Sequence, residues 1–275
     1  MKIFAISILL FFNFQSSVNA WLGVQVPEDH DVIKSFGSSV KDEIEKDIID
    51  IFVWNIYKAK KQNWKTQFEG QVSAYDFFLL QEMVTNPLIK SVFTSSEEVN
   101  YATATSFFYK KNMQRTGVAT GSKYQPSSTS FLRSQNREPI LLTPKITLFT
   151  KYPIKGHNKE LLVVNIHAIN FVSSNTLHSQ LKDAADVIQE HDGPSIFAGD
   201  FNTWTSEKQS FLKKVTSEAG MSEVTFENDT RKKMFGWILD FIFVKGLEVL
   251  DSKVHDSLEA SDHKAISAKL KLIKQ

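Results

Sequence analysis

A layered α/β fold is what this sequence predicts, on three observations. Short apolar runs rich in Val, Ile and Phe recur along the chain. Amphipathic stretches at helical spacing lie between them. The chain has 275 residues, 42% of them hydrophobic and 23% charged, which is enough for one sizeable core and too apolar for disorder.

The elements follow in order. Lys2 precedes the apolar run 3–12, and Ser16-Ser17-Val18-Asn19-Ala20 follows, with Val18 and Ala20 fitting a small-residue cleavage site. Residues 1–20 therefore read as a signal peptide, and 21–275 as a single domain. The run is too short to span a bilayer comfortably, so no stable membrane anchor is expected after cleavage. Runs at 51–56, 76–81, 101–109, 117–119, 140–142, 146–149, 161–166, 195–198, 238–244, 247–254 and 265–270 read as strands. Leu177, Leu181, Ala184 and Ile188 predict a helix over 173–190, stopped by Gly193-Pro194. A second helix starts at Ser206, with Gln209 at capping-box spacing, and ends at Gly220. Residues 61–72 are a third candidate. The polar stretch 110–139 reads as a long surface loop or hairpin.

Composition narrows the function. Lys and Arg total 32 against 31 Asp and Glu, and removing 1–20 leaves 31 of each, so nucleic-acid binding by bulk charge is excluded. There is no cysteine, which rules out disulfide frameworks, thiolate zinc sites and a cysteine nucleophile. An exported chain without cysteine fits a bacterial periplasm or a secreted enzyme. His-Glu-x-x-His and Gly-x-Ser-x-Gly are both absent, against a metalloprotease and a serine hydrolase.

The informative feature is where apolar strands turn polar. Phe52-Val53-Trp54 runs into Asn55, and Leu79-Leu80 into Gln81-Glu82. Val163-Val164 runs into Asn165-Ile166-His167, and Phe197-Ala198 into Gly199-Asp200-Phe201-Asn202. Residues two apart in an extended chain share a side, so Asn165 projects with His167, and Asp200 with Asn202. Ligands commonly bind at such strand ends in α/β folds. Asp240 sits inside the apolar run Leu239-Asp240-Phe241-Ile242-Phe243, where an unpaired carboxylate costs several kcal/mol. It needs a partner, and Ser261-Asp262-His263 supplies an imidazole. Any one of these residues is ordinary at a strand end or turn; the ordered combination is not.

That combination resembles the endonuclease/exonuclease/phosphatase (DNase I-like) superfamily. The carriers are Trp54-Asn55, Gln81-Glu82, Asn165-Ile166-His167, Gly199-Asp200-Phe201-Asn202, Leu239 to Phe243 and Ser261-Asp262-His263. Residues 137–145, 164–171 and 198–204 also look like a bacterial branch of it, the YafD-like (UPF0294) proteins. The resemblance implies a four-layer α/β sandwich, two face-packed mixed β-sheets flanked by helices, with the site at one edge between the sheets. It implies Mg²⁺-dependent hydrolysis of a phosphate ester by in-line water attack, with Mn²⁺ as a possible substitute.

Carried over by residue, Glu82, Asn55 and Asp262 would hold the metal. His263, oriented by Asp240, would be an acid–base or charge-stabilising group, and His167 and Asn202 would hold phosphate oxygens. Asp200 would orient or deprotonate the water; whether it or His263 is the base stays open. Arg137 is a candidate substrate contact, since a guanidinium suits phosphate. The expected activity is a nuclease on DNA or RNA, acting as a monomer. A sphingomyelinase-like phospholipase C, a phosphoinositide phosphatase, and a non-catalytic binding protein on the same fold are the alternatives.

Overall fold

The alternation of apolar runs and amphipathic stretches becomes two mixed sheets in the computed structural model, which describes residues 23–39, 41–140 and 142–273. The chain begins with β1 (Val24–Gln25), β2 (Ile33–Gly37), β3 (Ile48–Asn55), α1 (Trp64–Val72), β4 (Phe77–Val84) and α2 (Pro87–Thr94). It continues through β5 (Asn100–Tyr109), β6 (Gln114–Ser122), β7 (Ser128–Arg133), β8 (Ile146–Tyr152), β9 (Leu161–His167), α3 (Ser174–Glu190), β10 (Ser195–Asp200) and α4 (Ser206–Glu218). The short β11 (Ser222–Glu223), β12 (Lys233–Met234) and β13 (Trp237–Ile238) precede β14 (Asp240–Lys245), β15 (Leu247–His255) and β16 (Ala265–Leu272). The proposed signal peptide lies outside the described residues.

One sheet runs β1-β5-β6-β4-β3-β16-β15, with β2 also on β5; the other runs β11-β14-β10-β9-β8-β7. Each is built around a parallel pair, β3 with β4 and β9 with β10, and each pair is joined through a helix, α1 or α3. All their other pairings are antiparallel.

Alternation along the strands sorts the side chains into layers. Ile51, Val53, Phe77 and Leu79 of one sheet pack with Val163, Ile196, Ala198 and Ile242 of the other. The outer faces turn to helices: Phe52, Trp54 and Phe78 to Trp64, Phe68 and Phe93, and Val164, Phe197 and Phe243 to Leu177, Leu181 and Leu212. This is the expected four-layer sandwich. Burying a side chain of this size contributes about 1.5–3 kcal/mol, so the three layers of contact dominate stability.

The helices form where their caps allow. Ser173 Oγ accepts from Thr176 N at the start of α3. The cap of α4 is Thr205, whose Oγ1 accepts from Lys208 N. Three expectations change. The polar stretch 110–139 is not loop throughout: it carries all of β6, which forms a hairpin with β5, and β7. β6 extends well beyond the run expected at 117–119, because its buried residues are small (Gly117, Ala119, Thr120, Gly121) and pack by close approach rather than by bulk. No strand forms at 140–142: Ile140 is an exposed turn residue, and residue 141 lies outside the described residues. The unforeseen helix α2 is capped by Asn86, whose Oδ1 accepts from Ile89 N at 2.8 Å, with Pro87 pre-set in the first turn.

The register brings the polar strand ends together. Asn55 pairs with Gln81, His167 with Asp200, and Asp200 with Asp240. Gly199 permits this closeness: its φ is +142°, and a Cβ there would lie 2.0 Å from Ile166 O. Gly199→Ala is accordingly expected to destabilise the fold by about 3 kcal/mol or more in urea denaturation. An unchanged midpoint would show that the strands can part at no cost.

Candidate active site

Asn55, Gln81 and Asp200 lie on the inner faces because each follows an inward apolar residue by two positions, and so do His167, four after Val163, and Asp240, two before Ile242. Asp200 is the hub. Its Oδ2 accepts from Asn55 Nδ2 at 3.0 Å, across the sheet–sheet seam, and its Oδ1 accepts from Asn202 N at 3.1 Å. His167 Nε2 and His263 Nε2 stand 3.7 and 3.9 Å from the same Oδ2. Asn202 bridges the loops after β9 and β10, its Nδ2 donating to Ala168 O at 2.9 Å.

His263 is held from several sides. Its Nδ1 meets Asp240 Oδ2 at 2.8 Å, and Trp54 Nε1 donates to its carbonyl at 3.1 Å. Its own N–H donates to Ser261 Oγ, whose hydroxyl in turn donates to Asn55 O. Asp240 is fixed from behind by Arg231, which donates to Asp240 O at 2.9 Å. That guanidinium is buried, bonded twice to Asp229, and faces the rings of Phe226 and Phe241.

Charge sorts unequally among these groups. Burial, seconded by the charge of Asp240, pushes Asp200 up to about 7 against the opposing pull of His263 and of the Asn55 and Asn202 hydrogen bonds. Burial also opposes the charged form of His263, but the charge and hydrogen bond of Asp240, with Asp200 nearby, outweigh it and push it up to about 10. His167 is driven well below the usual histidine range by burial and then by Lys145 and His263, so its imidazole is neutral.

The remaining expected residues lie around this hub. Glu82 follows Gln81 in a β4 bulge with φ +52°, and it lines a cleft of about 290 Å³ together with His167, Lys58 and Lys145. Among the described residues its carboxylate has no hydrogen-bond or ion-pair partner. Asp262 is exposed and 3.8 Å from Lys232. Arg137 is not part of the cleft lining; it donates to Leu142 O at 2.9 Å and braces the loop whose Glu138, Pro139 and Ile140 are. Asn165 turns to a structural task, accepting from Gln81 Nε2 and donating to Ala119 O between the sheets.

These oxygen-rich donors fit a hard divalent cation. The tightest ligand-like group is Asp200, Asp240 and His263, with atoms within 4.8 Å of one another. A cation inside that trio would break the 2.8 Å Asp240–His263 bond. The unpartnered carboxylate of Glu82, which faces the cleft next to Gln81, is the better candidate ligand. Sequence reasoning missed Arg231 and Lys145. The first carries a local signal in Asp229-Thr230-Arg231, while an isolated lysine carries none; Lys58 stands in the basic cluster Lys58, Lys60 and Lys61 that follows Asn55.

Comparison with known proteins agrees with this geometry. Residues 52–263 match the model of the Endonuclease/Exonuclease/phosphatase family. A UPF0294 protein of Vibrio campbellii is 33% identical over 252 residues, covering 86% of this chain and 87% of its own length. One from Klebsiella pneumoniae is 38% identical over 217 residues, covering 78% and 79%. The crystal structure of the endonuclease/exonuclease/phosphatase from Bacteroides vulgatus superposes with a TM-score of 0.62 at 15% identity, over 82% of this chain and 100% of that one. The human Nocturnin catalytic domain with bound sulfate gives 0.61 at 15% identity, over 87% and 97%.

The His263–Asp240 pair predicts a pH dependence of stability. An unfolded histidine titrates near about 6.5. The pair's stabilisation is therefore complete below that value and is lost as pH rises through about 10. Urea unfolding in EDTA between about pH 6 and 11 should show this decline, and His263→Gln should lack it. Parallel curves for the two chains would mean the imidazole is not held charged.

Proposed function

The chain belongs to the endonuclease/exonuclease/phosphatase family, and we propose that it is an exported Mg²⁺-dependent phosphodiesterase, a nuclease cutting DNA or RNA by in-line attack of water. Hydrolysis of phosphoric esters is the family's general activity. The observation that carries the reading is the arrangement around Asp200: one buried carboxylate held by Asn55 and Asn202, with two imidazoles within 4 Å of one oxygen.

The charge states divide the work. Asp200, raised to about 7, is an effective proton acceptor near neutral pH and takes the proton of the attacking water. His263 is already protonated and cannot act first as a base; it stabilises negative charge on the phosphoryl group or gives its Nε2 proton. Asp240 holds the Nδ1 proton and so directs Nε2 toward Asp200. Neutral His167 and the second N–H of the Asn202 amide hydrogen-bond the non-bridging oxygens. Mg²⁺, held by Glu82 and Asn55 with Asp262 at the outer side, would neutralise the phosphate and stabilise the leaving oxygen. Export is supported by Lys2 and the apolar run after it.

Lys58 and Lys145 in the cleft support a polyanionic strand as substrate. A phosphoinositide phosphatase calls for a denser basic pocket than this pair. A non-catalytic scaffold would have no need of a buried carboxylate with its acidity so altered.

The purified chain is expected to hydrolyse bis(p-nitrophenyl) phosphate and plasmid DNA with Mg²⁺ or Mn²⁺, and EDTA to stop both. Asp200→Asn and His263→Ala should each lower kcat about a hundredfold or more while the fold persists by circular dichroism. Turnover that survives chelation, or variants as fast as the parent, would reject the mechanism.

A further inference from the structure

The mouth of the cleft carries aromatic rings that the chemistry above does not use. Phe171 is 56% exposed and Phe235 is 76% exposed. Trp204 stands between them, its ring centroid 6.3 Å from Phe171 and 5.9 Å from Phe235. Each ring lies close in sequence to a site residue. Phe171 follows His167 by four positions, Trp204 follows Asn202 by two, and Phe235 precedes Asp240 by five.

The backbone sets these rings apart from ordinary surface residues. Phe171 and Phe235 both hold left-handed conformations, φ +55° and +51°. A bulky residue is disfavoured there, and Asn or Gly is usual. Phe235-Gly236 is the two-residue turn joining β12 to β13, where Asn-Gly is the favoured pair. Neither ring is buried, so packing does not compensate for the strain. Strain of this kind, held without a packing reason, marks function. Trp204 is fixed differently: its Nε1 donates to Asn170 Oδ1 at 2.8 Å, and the Lys208 ammonium lies 3.9 Å from its ring centre. Asn170 itself lines the cleft.

We propose that Phe171, Trp204 and Phe235 form a stacking strip for the bases of single-stranded nucleic acid. The proposal rests on the nuclease reading and narrows its substrate. Unpaired bases offer their faces to aromatic side chains, whereas a duplex keeps them stacked inside. Lys58 and Lys145 complement the backbone that would enter beside the strip. The central ring is tied down by an amide and covered by an ammonium, an arrangement that suits a stacking platform beside a charged backbone.

Fluorescence anisotropy in EDTA, which prevents turnover, tests this with three probes: a dodecamer oligo(dT), its duplex with oligo(dA), and an abasic-spacer strand of the same length. The test variant is Phe171→Asn with Phe235→Asn, since asparagine tolerates both backbone conformations. The parent chain should prefer the oligo(dT) strand to the other two. The double variant should lose about tenfold or more on oligo(dT) and nothing on the abasic strand. No loss, or equal loss on the abasic strand, would overturn the proposal. So would ring-dependent sedimentation with sphingomyelin–phosphatidylcholine vesicles in place of ring-dependent oligo(dT) binding. Hydrolysis of bis(p-nitrophenyl) phosphate by the parent chain with Mg²⁺ separates the two readings. Ring-dependent binding without turnover rejects the chemistry and keeps the strip; turnover without ring dependence rejects the strip alone.

Discussion

The hydrogen bond from Asn55 to Asp200 joins the two sheets at the point where their apolar seam ends. A polar side chain between packed sheets costs free energy unless it finds a partner, and a lone charge costs far more. The seam meets this with neutral amides. Asn55 reaches Asp200, and Gln81 reaches Asn165, each across the gap between sheets. These amides let the strands approach closely enough for the core and still leave one carboxylate in a dry place. The site and the closure of the sandwich are therefore the same set of contacts.

The electrostatics follow from that closure. Asp240 and His263 form a buried pair that is neutral as a unit. His167 is uncharged, so Asp200 is the surplus negative charge of this cluster. Such a group is relieved by a proton or by a cation, and its acidity shifts toward neutral pH for that reason. The donors around it, Asn55 and Asn202, temper the shift without cancelling it. A site built this way is poised to exchange protons, which an exposed aspartate is not.

Much of this was legible before any coordinates. A run of Val, Ile and Phe that ends in Asn, Asp or His declares a buried polar group, and burial is costly enough to need a reason. That argument found Asn55, His167, Asp200 and Asp240, and the pairing of Asp240 with His263. It gave the side on which Asn165 projects but not its partner Gln81, because alternation says nothing of what lies across the gap. It found only residues 117–119 of β6, whose small residues pack without looking apolar, and it missed Arg231, which reads as an ordinary surface cation. Backbone strain was wholly hidden. Tyr57, Lys58, Ala59, Glu82, Leu142, Phe171, Asn202 and Phe235 all hold positive φ, and most lie in loops or bulges next to site residues. Only the asparagine among them announces that conformation.

The two kinds of residue answer to different forces. Site groups on strand ends are fixed by register and by the core behind them, so moving one disturbs the packing of both sheets. The aromatic residues of the mouth stand on loops and leave much of their surface in water, so they contribute little to folding. A change from Phe to Asn at position 235 would even relax the turn that holds it. Selection of substrate by such residues can therefore shift without loosening the machinery beneath.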